Sequence, residues 1–322
     1  MIALDLQLQQ QQNGDQLNAF VVTPSGQEAF LADVPLQAIE WQQEWRRQFL
    51  AHHDPAGTAV SADAVRRYAA GLSRAMSDWL AQPTCLPLRQ ALQDHPGLPL
   101  RLRLEGSELA RSLEHLPWEL LAPDRPLWRV VRGQRRPDAN QPRRARRPRL
   151  LVVAGAGNGL QLGGELERLD ALRRQGRLEL RLLSGPGCSI SALRQQLLDP
   201  NGWDALIFLG HSNADPSGGG QLQLGDGSWV AAAMVEAELQ TAAGHGLALA
   251  LFNSCSGLDL ARSSVSAGVD WALCFREPVP GEAASRAFTA MLSALEAGND
   301  LFEASRQARL ALSAAGDCVG SD

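Results

Sequence analysis

The sequence predicts an α/β protein in which a mostly parallel sheet is covered by helices and preceded by a helical N-terminal region. After residue 149, short apolar runs of strand length alternate with segments of helical periodicity, the pattern of a parallel sheet with helices on both faces. Before residue 98, two longer segments instead carry apolar residues at helical spacing. Apolar residues make up 45% of the 322-residue chain and charged residues 20%, which is ordinary for a folded globular protein.

The N-terminal elements follow from spacing and from one capping residue. Residues 31–50 and 59–80 are predicted helices, the second with Ser61 as its N-cap. Leucines at every second position from Leu98 to Leu104 predict a half-buried strand. We interpret Trp118, within Leu-Pro-Trp-Glu-Leu-Leu (116–121), as a core anchor.

An Arg-rich stretch separates the two halves of the chain. Residues 129–149 hold nine Arg and a single acid, and three prolines interrupt any regular element. We therefore predict an exposed linker over 133–148. A nucleic-acid patch is the alternative, but no aromatic residues interleave with the Arg and the whole chain carries a net charge of −5. We expect no nucleic-acid partner.

The second half of the chain contains the predicted sheet. Its predicted strands are 149–154, 177–183, 204–209, 247–252 and one near 269–275, and its predicted helices are 164–175, 191–199, 231–242, a short one from 257, 282–297 and 300–314. A hairpin at 221–230, turned by Gly225-Asp226-Gly227, interrupts the alternation.

Composition and targeting signals exclude several classes of function. Every one of the 30 basic residues is Arg, and without Lys a Walker A phosphate loop or a Schiff-base enzyme is excluded. No secretory signal begins the chain and no apolar run approaches a membrane span, so we expect a cytoplasmic protein without membrane contact. The five cysteines form no CxxC pair, which argues against a disulfide framework or a zinc site. We expect no cofactor and no metal.

A His and a Cys follow two of the predicted strands. His211 comes just after strand 204–209 and Cys255 just after strand 247–252. In an open parallel sheet, ligands bind beyond the carboxyl ends of the strands, so both side chains emerge at one edge if these strands are neighbours. A nearby imidazole and a helix N-terminus both favour the reactive thiolate, which predicts a Cys–His dyad. The alternative is a small buried Cys and a loop His without chemistry.

The glycines from Gly155 to Gly159 suggest a second kind of site. Glycines between a strand and a helix can admit a pyrophosphate, which would make the chain a nucleotide-binding regulator. Leu160 stands where the dinucleotide motif needs its third glycine, and the next strand does not end in an acid. The sequence therefore favours a turn that needs glycine only for chain geometry.

Three stretches resemble the CHAT domain peptidases, relatives of caspases, metacaspases and separase. They are Leu-Pro-Trp-Glu-Leu-Leu (116–121), Ala-Leu-Ile-Phe-Leu-Gly-His (205–211) and Leu-Ala-Leu-Phe-Asn-Ser-Cys-Ser-Gly (249–257). His211 and Cys255 are 44 residues apart, near the ~50 of caspases. The resemblance implies a caspase-like sandwich with this organisation: a mainly helical region 1–97, the first part of the CHAT-like domain 98–132, the linker 133–148, a catalytic subdomain 149–316 and a tail 317–322.

The resemblance also implies a cysteine endopeptidase that cleaves a protein or peptide substrate. Cys255 would attack the scissile carbonyl and His211 would handle protons, without an obligatory third acid. The oxyanion would be held by the backbone N–H groups of Cys255 and Ser212. The family usually has Gly after the His, and Ser212 here keeps open a catalytically inactive interaction or signalling scaffold of the same fold.

The substrate preference stays open at this stage. Caspases use basic pockets for acidic P1 residues, and metacaspase-like relatives use acidic pockets for Arg or Lys. The candidate pocket acids are Asp215, Asp259 and Asp270, and the candidate bases are Arg262 and Arg276. Related bacterial proteins resemble parts of defence or programmed-death modules, which implies a protein substrate and a regulatory protein partner.

Overall fold

The computed structural model describes residues 3–10, 17–31, 34–53, 60–104, 108–121, 129–133, 147–157, 162–214, 219–254 and 257–314. The chain forms two compact units, residues 1–134 and 135–321. The border between the units falls inside the predicted linker 133–148, most of which lies outside the described residues. The finer domain limits remain predictions.

The first unit contains a five-stranded mixed sheet. Its strands are β1 (Leu4–Gln10), β2 (Leu17–Val22), β3 (Glu28–Leu31), β4 (Leu100–Leu104) and β5 (Val130–Arg132), in the order β3-β2-β1-β4-β5. The predicted strand at 98–104 is confirmed as β4, and Leu100 and Leu102 are fully buried. Strands β1 to β3 were not predicted, although Leu4, Leu6 and Leu8 alternate with polar residues in β1 and the next strand, β2, is its antiparallel partner.

Four helices accompany this sheet, and the first two match the helices predicted at 31–50 and 59–80, although the same region also supplies three strands. The four helices are α1 (Leu36–His53), α2 (Ala62–Ala81), α3 (Leu86–Asp94) and α4 (Glu108–Glu114). Ser61 caps α2 as predicted, because its side-chain oxygen accepts a hydrogen bond from the backbone N–H of Ala64 at 3.2 Å. Trp118 is fully buried and its Nε1 donates to the carbonyl of Leu113 at 2.7 Å. This confirms its interpretation as a core anchor.

The second unit contains the predicted parallel sheet. Its strands are β6 (Arg149–Ala154), β7 (Glu179–Leu183), β8 (Ala205–Leu209), β12 (Leu249–Asn253) and β13 (Trp271–Cys274). All neighbours pair in parallel, in the order β13-β12-β8-β6-β7. The fold class predicted from the alternation of apolar runs and helical segments is therefore confirmed.

Helices cover both faces of this sheet. They are α5 (Gly163–Arg174), α6 (Ile190–Leu197), α7 (Glu236–Gly244), α8 (Leu258–Ser266), α9 (Gly281–Glu296) and α10 (Leu301–Ala314). Successive strand side chains alternate between the faces. Phe208 and Phe252 pack with α6, α7 and α8, whereas Ile207 and Leu251 pack with α5, α9 and α10. No helix in the described ranges is long and apolar enough to cross a membrane.

A small antiparallel sheet is inserted between β8 and β12 in the chain. It consists of β9 (Ser212–Ala214), β10 (Gly220–Gln223) and β11 (Trp229–Ala231), in the order β11-β10-β9. The predicted hairpin is β10 and β11, and Gly227 in its turn has a φ of +87°, a conformation that favours glycine. Strand β9 was not predicted because three residues are too short to show a period.

Candidate active site

The carboxyl ends of three neighbouring strands form the edge of the sheet where the site was predicted. In the central pairings, Leu209 of β8 is in register with Ala154 of β6 on one side and with Asn253 of β12 on the other. The condition for the predicted dyad, that β8 and β12 are neighbours, is therefore met. His211 lies two residues after Leu209, and Cys255 comes two residues after Asn253 in the chain.

Backbone contacts fix the half-buried His211 in this edge. Its carbonyl accepts a hydrogen bond from the N–H of Gln223, the last residue of β10, at 3.0 Å. Just before it, the N–H of Gly210 is 3.4 Å from the carbonyl of Asn253. The chain at His211 is thus held between the small sheet and the end of β12.

The glycines beside His211 are required by packing. A Cβ on Gly155 would stand 2.4 Å from the carbonyl oxygen of Gln223, and a Cβ on Gly210 would stand 3.1 Å from the Cα of Gly155. Backbone therefore packs directly on backbone at this edge. Gly155 is therefore needed because a side chain would not fit between these backbone segments. The sequence favoured this geometric interpretation over a nucleotide-binding loop.

Cys255 and Ser256 lie outside the described residues, and the described chain resumes at Gly257. The N–H of Gly257 donates to the carbonyl of Phe275 at 3.2 Å, and a Cβ on Gly257 would stand 2.4 Å from the Cβ of Cys274. Helix α8 begins one residue later, at Leu258. The sequence therefore has Cys255 between the end of β12 and the start of a nine-residue helix.

The three acids predicted for the substrate pocket have different placements. Asp215 lies outside the described residues. The carboxylate of Asp259, in the first turn of α8, accepts a hydrogen bond of 2.6 Å from the guanidinium of Arg262, one turn later in the same helix. Asp270 directly precedes β13 and therefore stands at the amino end of the strands, the edge opposite to that of Asn253. Asp270 is therefore at the edge of the sheet opposite to the edge at which His211 lies.

Two polar residues at this edge were missed by the sequence analysis. The side-chain amide Nδ2 of Asn253 is 3.4 Å from Oε1 of Glu165, in the first turn of α5. Both residues are buried, with 6% and 2% of their surfaces exposed. The signal in the sequence was the position of Glu165 on the buried stripe of α5, in line with Leu169 and Leu172.

Two of the other cysteines in the described chain, Cys85 and Cys188, belong to the apolar cores. Cys85 and Cys188 are fully buried, and none of the described cysteines forms a disulfide. Burial raises the pKa of the Cys188 thiol, and the nearby Asp226 raises it further, against a hydrogen bond from Gly225. A thiol with a raised pKa is a poor nucleophile at neutral pH. Nowhere in the described ranges do three His, Cys, Asp or Glu side chains form a group that could hold a metal ion.

Comparison with known proteins identifies the family. The family model described as "CHAT domain" matches residues 2–318, nearly the whole chain and both compact units. No curated protein sequence matches the chain significantly. The matched span includes the strands, the His and the Cys on which the resemblance rested. The chain therefore belongs to the CHAT domain family, a family of caspase-like peptidases.

Proposed function

We propose that this protein is a cysteine endopeptidase in which Cys255 is the nucleophile and His211 the proton carrier. The observation that carries the proposal is the parallel, in-register pairing of β8 with β12. This pairing brings the carboxyl ends of the two strands that precede His211 and Cys255 in the sequence to one edge of the sheet. Family membership supports the same chemistry.

In the proposed reaction, the thiol proton of Cys255 passes to the imidazole of His211. The thiolate sulfur then attacks the scissile carbonyl carbon, and the carbonyl oxygen becomes an oxyanion. Collapse of this intermediate breaks the C–N bond, and the imidazolium gives its proton to the departing amine. A water molecule, deprotonated by His211, hydrolyses the thioester and restores the thiol.

The backbone at Ser212 suits an oxyanion donor. In the antiparallel pair of β9 and β10, the hydrogen bond from Gln223 to His211 makes these two residues a hydrogen-bonded pair. Hydrogen-bonded and non-hydrogen-bonded pairs alternate, so the next pair, Ser212 with Leu222, is non-hydrogen-bonded. The N–H of Ser212 is therefore turned away from β10, on the outer side of an edge strand.

The side chain of Ser212 does not conflict with that role. Directly opposed residues in a β pair share a face, so Ser212 is on the same face as Leu222, which belongs to the apolar core. Ser212 is itself buried. The replacement of the family's usual Gly by Ser212 thus adds a hydroxyl on the core side of β9, not on the side to which its N–H points.

The start of α8 supports an activated thiol. The backbone N–H groups of a helix N-terminus carry partial positive charge, and they lower the pKa of a cysteine that lies close to them. Cys255 precedes the first residue of α8 by three positions. Its thiolate would then be favoured by both the helix and His211.

The biological setting follows from the family resemblance. We propose a protein substrate and a regulatory protein partner, in a bacterial regulatory or defence pathway. The cytoplasm is the proposed location.

Peptide cleavage tests the proposal. Wild type should cleave members of a fluorogenic peptide library with every residue type at P1, whereas Cys255→Ala and His211→Ala should lose at least about 1,000-fold in kcat/KM. Cys188→Ala is the matched control, since its thiol is buried and has a raised pKa, and it should retain activity.

The rival is a catalytically inactive scaffold of the same fold, kept open by Ser212. A Ser212→Gly variant separates the two hypotheses. If no peptide is cleaved by wild type but Ser212→Gly cleaves with Cys255 dependence, the natural chain is an inactive member. If cleavage by wild type depends on Cys255, the scaffold hypothesis is refuted.

A further inference from the structure

A buried carboxylate without a partner lies beside the candidate active site. Oε2 of Glu165 and Oδ1 of Asn253 are both buried, and neither has a hydrogen-bond partner in the part of the chain that the structure describes. Both side chains are more than nine-tenths buried. A buried ionised carboxylate is costly unless it is paired, so these two acceptors indicate a missing donor.

We propose that Glu165 and Asn253 form the pocket for the P1 side chain and that this pocket selects Arg or Lys. The inference rests on the proposed peptidase function and names its substrate class. The pocket differs from the three acids predicted from sequence, since neither Glu165 nor Asn253 was among them.

The position of the pair fits a P1 pocket. The P1 residue carries the carbonyl that the nucleophile attacks, so its side chain must enter the protein next to the Cys and the His. Asn253 is two residues before Cys255 in the chain and is in register with Leu209, two residues before His211. Asn253 has the same orientation on β12 as Leu251, towards the face that α5 covers, which is why it meets Glu165.

The chemistry of the pair selects a cation. Glu165 supplies a negative carboxylate and Asn253 a neutral carbonyl oxygen, and both of the unpartnered atoms accept hydrogen bonds. A guanidinium offers several N–H donors in one plane, and a Lys ammonium offers three. An acidic P1 side chain would be repelled by Glu165, and an apolar one would leave both acceptors unpaired.

The acid in the first turn of α8 already has a cationic partner. Asp259 is paired with Arg262 on the same turn of α8, at 2.6 Å. Glu165 differs from Asp259 because it is deeply buried and one of its carboxylate oxygens has no hydrogen-bond partner among the described residues.

Substrate scanning tests the inference through activity. Wild type should cleave matched peptides with Arg or Lys at P1 at least about tenfold faster, in kcat/KM, than those with Leu, Met or Asp. Glu165→Gln, which keeps the shape and removes the charge, should lower kcat/KM for P1 Arg by about 100-fold and change that for P1 Leu by less than about threefold. Glu167→Gln is the matched control, because Glu167 is exposed on the same helix, and it should match wild type.

A binding measurement keeps the inference testable without catalysis. Benzamidine, an amidinium probe, should raise the melting temperature of wild type, Cys255→Ala and Glu167→Gln in a concentration series, but not that of Glu165→Gln. Benzamide, its neutral analogue, should raise none of them. Glu165→Gln itself should be folded and at least as stable as wild type, because it removes a buried charge.

The outcomes separate this inference from the peptidase proposal. Cys255-dependent cleavage that favours a neutral or acidic P1 residue, or a Glu165→Gln loss equal for all P1 residues, would overturn the pocket and leave the peptidase standing. Benzamidine stabilisation that needs Glu165, without cleavage of any peptide, would support the cation pocket and refute the peptidase. Equal stabilisation of wild type and Glu165→Gln by benzamidine would overturn the pocket whatever the activity.

Discussion

Replacing Gly155 by Ala should destabilise the second unit by a calculable amount. The added Cβ would stand 2.4 Å from the carbonyl oxygen of Gln223, where ordinary contact begins at 3.4 Å, so backbone must move by about 1 Å. Overpacking of this kind costs about 1–3 kcal/mol. For a unit of this size each kcal/mol lowers the melting temperature by about 2–4 °C, so we expect a fall of about 2–12 °C in a calorimetric scan.

Gly157→Ala is the matched control for this prediction, because nothing lies within 4 Å of a Cβ at Gly157. It should change the melting temperature by no more than about 2 °C. Since Gln223 also donates to the carbonyl of His211, Gly155→Ala should slow peptide cleavage beyond the loss of folded protein. Equal melting temperatures for the two variants would refute the close backbone packing at this edge.

Two further predictions concern charged groups outside the site. In the wild type, Nε of the buried Arg101 donates a hydrogen bond to the carboxylate of Asp5 at 2.8 Å. Asp5→Asn removes that carboxylate and leaves the buried guanidinium without its anion, so it should lower the free energy of unfolding of the first unit by about 3–5 kcal/mol in urea denaturation. A loss below about 1 kcal/mol would contradict this. The hydrogen bond from Arg149 to Asp199, at 2.9 Å, lowers the pKa of that carboxyl. This pairing therefore stabilises the fold above the unfolded pKa of about 3.9 and is lost as the pH falls through the lower folded value. Asp199→Asn should show a smaller loss of stability than wild type between about pH 4 and pH 2, and identical acid profiles would contradict the assignment.

The second unit was predictable because its signals are local. Four of the five strands in its parallel sheet, β6, β8, β12 and β13, are nearly continuous apolar runs, because helices cover both faces of the sheet. The edge strand β7 instead mixes apolar and polar residues, and most of its residues are exposed. The positions of His211 and Cys255 after two such runs then follow from the rule that parallel strands end at one edge. Even the hairpin had its own turn signal, confirmed by the φ of Gly227.

Two of the features that the sequence analysis missed depend on non-local pairing. Strand β1 pairs in parallel with β4, and the bidentate contact of Asp5 with Arg101 joins residues 96 positions apart. The periodicity of apolar residues can predict a strand, but it does not identify a pairing partner so far away in the chain. Glu165 is a different case, because its place on the buried stripe of α5 was visible, but its partner Asn253 is 88 residues away.

The reactivity of Cys255 tests the central claim most directly. Native protein is alkylated with iodoacetamide from about pH 5 to pH 9, and each cysteine is quantified by mass spectrometry beside His211→Ala. The account predicts that Cys255 reacts rapidly well below the ordinary thiol pKa of about 8.5, that His211→Ala slows it, and that buried Cys188 stays slow in both proteins. A Cys255 that follows an ordinary thiol profile, unchanged by His211→Ala, would contradict the dyad.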